Sequence, residues 1–89
     1  MLNIRILDTN MARLIGAQKI VQAAARKIGI KATIYPVADP LEICRFGLVN
    51  TMPALDINGR IMSRGRPVTM EETLELLQGY ASDSNMQRE

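Results

Sequence analysis

The first 37 residues change their hydrophobic period twice, and this change constrains the fold more than any other feature of the chain. Residues 2–7 alternate in the manner of a β-strand, and residues 31–37 form a second segment of strand character. Between them lies an amphipathic helix that runs to about Ile28, with apolar side chains recurring every three to four residues. A strand, a helix and a strand in this order predict a right-handed crossover between parallel strands.

Two further helices are indicated by the residues at their starts. Asp39, which is followed by a proline, is a typical N-cap, and the short helix that it begins is expected to end at Gly47. Thr69 and Glu72 have the spacing of a capping box. The helix that follows carries an apolar stripe as far as Tyr80.

A β-hairpin is predicted between these two helices. Its strands are residues 53–57 and 60–63, and they are joined by Asn58-Gly59, the favoured pair for a type I′ turn. The complete order is β-α-β-α-β-β-α. This order predicts an α/β fold in which a four-stranded mixed sheet is flanked by three helices.

The length of the chain is enough for one small domain. We place this domain at residues 1–80 and expect the aperiodic residues 81–89 to form a flexible C-terminal tail. No apolar run approaches the roughly 20 residues that span a membrane, and the N-terminus has no signal-peptide pattern. We therefore expect a cytoplasmic protein that has no membrane partner.

A single cysteine and the absence of histidine exclude several kinds of site. Cys44 has no second cysteine with which to form an intramolecular disulfide. A Cys/His zinc site, a Ser-His-Asp triad and a Cys-His pair each lack a necessary residue. We expect no metal and no other cofactor.

Cys44 is also the one candidate nucleophile. A helical wheel places it with Ile43 and Gly47 on the side of the short helix that faces the sheet. A thiol buried there would be an inert packing group. The alternative is an accessible thiol that takes part in a monothiol reaction or an intermolecular disulfide.

The charged residues give no clear sign of a partner. Arg60, Arg64 and Arg66 cluster on the hairpin and the loop after it, and the net charge of the chain is +2. No aromatic side chains are interleaved with these arginines and no nucleic-acid motif is present, so we expect a solvated loop and no nucleic-acid partner. Asp56, on the third strand, is expected to face solvent.

Five segments of the chain form a pattern that none of them carries alone. The two most specific are E-I-C-R-F-G-L at residues 42–48 and T-M-P-A-L-D-I-N-G at residues 51–59. The other three lie at residues 4–10, 23–30 and 65–72. In this order and spacing, over residues 3–78, the segments resemble the small thioredoxin/glutaredoxin-like proteins often called redox-active disulfide proteins. The resemblance implies a thioredoxin-like fold.

In that family a Cys-x-x-Cys motif begins the first helix, where free backbone N–H groups and the helix dipole stabilise a thiolate. Counting back from Gly29 aligns Met11 and Leu14 with the two cysteines, and Asp8 and Asn10 with positions that are usually glycine. The resemblance therefore implies a scaffold that lacks its dithiol site. The side chains at the two former cysteine positions either form an exposed apolar patch or complete the core at the start of the helix.

The family's cis-proline is matched by Pro53, although Met52 makes the loop before it one residue longer. In related proteins the residue before this proline binds an extended peptide through main-chain hydrogen bonds, which require no cysteine. We therefore predict a non-catalytic module that binds a protein or peptide through Met11, Leu14, Thr51, Met52 and Pro53. The alternative is a thiol–disulfide oxidoreductase that acts through its single cysteine. A homodimer and a role as one subunit of a complex both stay open.

Overall fold

The computed structural model describes the backbone of residues 2–87 and the side chains of residues 2–81. Its elements are β1 (Leu2–Leu7), α1 (Met11–Ile28), β2 (Ala32–Val37), α2 (Pro40–Arg45), β3 (Ala54–Ile57), β4 (Arg60–Arg64) and α3 (Met70–Gln87). Across this range, no helix combines the length and the apolar composition needed to cross a bilayer. The order of strands and helices predicted from the sequence is confirmed.

The four strands form one open mixed sheet in the order β2-β1-β3-β4. β1 is parallel to β2 and antiparallel to β3, and β3 is antiparallel to β4. The connection from β1 through α1 to β2 is therefore the predicted parallel crossover. Because β1 and β3 are antiparallel neighbours, the end of β1 lies beside the start of β3, with Leu7 paired with Ala54.

The two faces of the sheet are covered unequally. On one face, Ile4 and Ile6 of β1 join a core that includes Val21 of α1 and Leu77 of α3. On the other face, α2 is the covering helix, and a smaller core consists of Leu7, Ile43, Leu48 and Ala54. A helix of six residues cannot cover the whole of this second face. This second face is therefore covered near the end of β1 and open toward the start of β1.

Local signals in the sequence set the element boundaries. The side chain of Asn10 caps α1 by accepting a hydrogen bond of 3.0 Å from the backbone N–H of Arg13. Gly29 ends α1 in the left-handed conformation. Asn58 and Gly59 both have positive φ, 53° and 86°, which is the geometry that a type I′ turn requires.

α3 is longer than its apolar stripe. The stripe predicted from the sequence ends at Tyr80, whereas the helical backbone continues to Gln87. Residues 81–87 contain no proline or glycine, so nothing in their backbone chemistry stops the helix. Residues 88–89 of the predicted tail lie outside the described residues. The flexibility expected of residues 81–89 stays a prediction.

Asp56 is buried, and the expectation that it faces solvent is wrong. It lies on the inner strand β3 and is 1% exposed. Its Oδ2 lies 3.3 Å from Nη2 of Arg5, and its Oδ1 accepts the backbone N–H of Gly59 at 2.9 Å. The guanidinium of Arg5 also lies 4.7 Å from the centre of the Phe46 ring, just after α2. Both oxygens of the buried carboxylate therefore have a hydrogen-bond partner, as buried polar groups in proteins generally do.

Both edge strands are irregular. The carbonyl of Lys31, just before β2, accepts the N–H of Leu2, and the carbonyl of Val37, at the end of β2, accepts the N–H of Asp8. Odd-numbered residues of this segment therefore face β1. Because backbone groups point alternately to the two sides of a strand, those of Pro36 face away from β1, and no ladder hydrogen bond is lost through the missing N–H of proline. In β4, Met62 is an extra residue in the ladder with β3 and forms a β-bulge.

Candidate functional site

The candidate site lies where the first turn of α1 meets the loop before β3. The chain leaves β1 at Asp8 and enters β3 after Pro53, and the pairing of these two strands brings both points to the same end of the sheet. The backbone N–H of Thr9 lies 3.4 Å from the sulfur of Met52, and the Thr9 hydroxyl lies 3.6 Å from it. The thioether of Met52 therefore rests directly on the turn that precedes α1.

The loop from Thr51 to Pro53 is held on both sides. The Thr51 N–H donates to the carbonyl of Leu48 at 3.0 Å. The N–H of Gly65, after β4, donates both to the Thr51 carbonyl at 2.8 Å and to the Pro53 carbonyl at 3.1 Å. The peptide bond between Met52 and Pro53 is cis.

Met52 itself is left without backbone partners. Its N–H and its carbonyl make no hydrogen bond with any other residue in the described part of the chain. It stands between two residues whose carbonyls are both engaged, Thr51 and Pro53. Unpaired backbone groups in a loop that is fixed on both sides are available to pair with an extended chain.

The two positions aligned with the family's cysteines differ sharply in exposure. Met11, the first residue of α1, is 56% exposed and begins the helix two residues after Thr9. Leu14, one turn later, is 1% exposed and belongs to the main core. The structure therefore brings Met11 to the surface at this corner with Thr51, Met52 and Pro53, which are all partly exposed, and places Leu14 beneath it.

An ion pair that sequence reasoning missed joins the end of β1 to the first turn of α1, next to this corner. Oδ2 of Asp8 accepts Nε of Arg13 at 2.7 Å, and Oδ1 accepts Nη2 at 2.9 Å. Oδ1 also accepts the backbone N–H of Asn10 at 2.9 Å. The signal was present in the sequence, because an acid before the N-cap and an arginine in the first turn of a helix lie within reach of each other.

The environment of Asp8 changes its acidity. Its side chain is fully buried, whereas that of Arg13 is 55% exposed. The hydrogen bonds from Arg13 lower the pKa of the Asp8 carboxyl below its ordinary value of 3.8, against the opposing effect of burial. The same pair raises the pKa of Arg13 above its ordinary value. Asp8 is therefore a structural carboxylate that holds the start of α1, since its lone pairs point at Arg13 and Asn10.

Cys44 is exposed, and the prediction of a thiol facing the sheet is wrong. The residue of α2 that faces the sheet is Ile43, which is fully buried. Successive residues of a helix are about 100° apart around its axis, so burial of Ile43 turns its neighbour toward solvent. In a helix of fewer than two turns, the sequence pattern does not fix this rotation.

A family model described as a thioredoxin domain matches residues 2–78 of the chain. The matched range contains all four strands and reaches into α3. A comparison with curated proteins finds no match. The single cysteine means that the chain lacks the Cys-x-x-Cys motif with which the thiol chemistry of this fold is carried out. The open mixed sheet with three helices and the family match agree, and the chain belongs to the thioredoxin-domain family.

Proposed function

We propose that this protein is a non-catalytic module that binds an extended segment of a partner protein. The binding site is the loop surface, which we define as the exposed parts of Met11, Thr51, Met52 and Pro53. One observation carries the proposal: the backbone N–H and carbonyl of Met52 are unpaired within the described residues, and the Met52 sulfur lies against Thr9, two residues before the exposed Met11.

The backbone of Met52 supplies one donor and one acceptor to an extended chain. Each hydrogen bond of this kind contributes about 0.5–1.5 kcal/mol net, so the pair orients a partner more than it binds one. Rigidity helps, because Thr51 and Pro53 are already fixed by Leu48 and Gly65. Little conformational entropy is then lost on binding at this point.

Apolar contact supplies the remaining affinity. Burying an exposed methionine side chain completely is worth about 1.5–3 kcal/mol, and Met11 is more than half exposed. Methionine is flexible and polarisable, so it adapts to different side chains. Leu14 supports the surface from below by fixing α1 to the core, and does not contact the partner.

The absence of a second cysteine supports a binding role over dithiol chemistry. A dithiol exchange needs an attacking thiolate and a resolving thiol one turn away, and the chain has only Cys44. At the corner where the family places both groups, this chain has a thioether and a buried leucine. The geometry of peptide capture, by contrast, depends only on the backbone of the loop.

Selection from a display library of random peptides, each about twelve residues long, tests the proposal. The enriched peptides are then titrated into ¹⁵N-labelled protein. We expect the largest shifts at the amides of Met11 and Met52, and several-fold weaker binding to Met11→Gln. Tyr35→Gln is the matched control, because Tyr35 is a similarly exposed apolar residue on the edge strand β2. Failure to enrich any peptide, or shifts confined to other surfaces, would overturn the proposal.

The exposure of Cys44 favours a second candidate function, a monothiol exchange. The Cys44 thiolate would attack a substrate disulfide, form a mixed disulfide and release one substrate thiolate. A small thiolate from solution would then attack the substrate sulfur of the mixed disulfide. This step forms a disulfide between the small thiol and the substrate and releases the Cys44 thiolate. Reduction of a disulfide peptide by excess small thiol distinguishes this candidate. Equal rates with the wild type and with Cys44→Ser would exclude it.

A further inference from the structure

We propose that the segment bound at the loop surface is acidic, and that Arg64 and Arg66 recognise its carboxylates. This inference rests on the proposed function and names the chemistry of the partner. The sequence pattern alone gave these arginines no role beyond a solvated loop.

The backbone places the two arginines next to the loop surface. Gly65 stands between them, and its N–H donates to the carbonyls of Thr51 and Pro53 at 2.8 and 3.1 Å. The segment from Arg64 to Arg66 is therefore hydrogen-bonded to the residues on either side of Met52. Both guanidinium groups are proposed to extend from this segment toward a chain bound at Met52.

The two side chains also share one groove. A groove of about 440 Å³ runs along the edge strand β4, and its walls include Ile61, Ser63, Arg64 and Arg66. Arg64 and Arg66 are two positions apart, and both are exposed.

The positive charge of this pair is largely uncompensated. Arg64 makes no ion pair within the described residues. Arg66 has one carboxylate near it, Glu72 at 3.8 Å, and both side chains of that pair are well exposed. Such a contact is worth little in water, so a bound peptide carboxylate can replace it.

An acidic peptide fits these features better than a nucleic acid does. Guanidinium groups bind carboxylates through two parallel hydrogen bonds, and two exposed arginines suit two such contacts. Sequence-tolerant binding of a single strand requires aromatic side chains on which bases stack. The groove and the loop surface contain none.

The same peptide selection tests the inference through the composition of the enriched sequences. We expect an excess of Asp and Glu beside an apolar residue. For the tightest peptide, replacing its acids with the corresponding amides weakens binding to wild type about tenfold or more, and so does the double variant Arg64→Gln/Arg66→Gln. Because both changes remove the same contacts, together they weaken binding little further than either alone.

Arg60→Gln is the matched control, since Arg60 is an exposed arginine at the opposite end of β4. It should leave the affinity within about twofold. Raising NaCl from about 50 to about 300 mM should weaken the acidic peptide on wild type and have little effect on the double variant. All three arginines are exposed, so far-UV circular dichroism should show unchanged folding.

The possible failures are distinguishable. Enriched peptides without excess acid, or an unchanged affinity in the double variant, overturn the acidic partner while the proposed function stands. A single-stranded oligonucleotide that binds in about 150 mM salt and loses affinity in the double variant also overturns it. Absence of any enriched peptide overturns the proposed function, and this inference with it.

Discussion

The buried carboxylate of Asp8 and the half-exposed guanidinium of Arg13 form a two-pronged ion pair, with distances of 2.7 and 2.9 Å. This pair joins the end of β1 to the first turn of α1. Because the same carboxylate also accepts the N–H of Asn10, it fixes the residue that caps the helix. The position of Met11 therefore depends on a contact between two residues that lie outside the loop surface.

Removal of this carboxylate should destabilise the domain. We expect Asp8→Ala to lower the free energy of unfolding by about 1–3 kcal/mol, because the N–H of Asn10 and the guanidinium of Arg13 both lose their acceptor. Asp8→Asn keeps one oxygen acceptor and should cost less. Urea denaturation measures both. As a control, Glu42→Ala breaks an exposed ion pair with Arg45 and should cost no more than about 0.5 kcal/mol. Equal losses for Asp8→Ala and Glu42→Ala would contradict this account.

The stability of the domain should fall at acid pH in part through Asp8. Since its pKa is lower in the folded state than the ordinary 3.8, the folded state prefers the ionised form. The resulting stabilisation is complete above about pH 5 and is lost as the pH falls through the lowered folded-state pKa. The difference in unfolding free energy between wild type and Asp8→Asn should therefore be constant near neutrality and shrink in acid. A difference that is independent of pH down to about pH 2 would refute the assignment.

The two former cysteine positions should respond very differently to truncation. Leu14→Ala removes a core side chain that is 1% exposed, and should cost about 2–5 kcal/mol. Met11→Ala changes an exposed side chain and should alter stability by no more than about 0.5 kcal/mol. Thermal and urea unfolding of both variants make the comparison. Similar losses at the two positions would show that the start of α1 is oriented differently.

The single thiol should be accessible in the native protein. We expect a disulfide reagent to label Cys44 to completion without denaturant, at a rate within about tenfold of that in urea. Cys44→Ser provides the blank. Labelling that appears only on unfolding would restore the sequence prediction of a buried cysteine and remove the monothiol candidate as well.

Much of this fold follows from short-range signals. The N-cap at Asp39, the turn at Asn58-Gly59 and the cap at Thr69 each act within a few residues, so the sequence indicates them directly. The family pattern also brought the first turn of α1 and the loop at Pro53 to one corner. The site could therefore be located, although its exposed and buried members could not be separated by pattern alone.

The features that could not be predicted depend on distant partners. Asp56 is buried because Arg5, 51 residues away in the chain, neutralises it under the ring of Phe46. Cys44 is exposed because α2 settles on the sheet through Ile43, and six residues are too few for a periodic pattern to define that face. The role that we propose for Arg64 depends on a hydrogen bond of its neighbour Gly65 to the loop before β3, which the sequence pattern does not indicate.

The outward-facing Pro36 has a consequence for how copies of this protein meet. An exposed strand edge is a template onto which another strand can add, and repetition of that step produces aggregates and fibrils. Pro36 denies such a strand one of the donors it needs on the β2 side. The outer strand β2 is thus a poor template for self-association, although the backbone at Met52, where we propose that a partner binds, stays unpaired within the described residues.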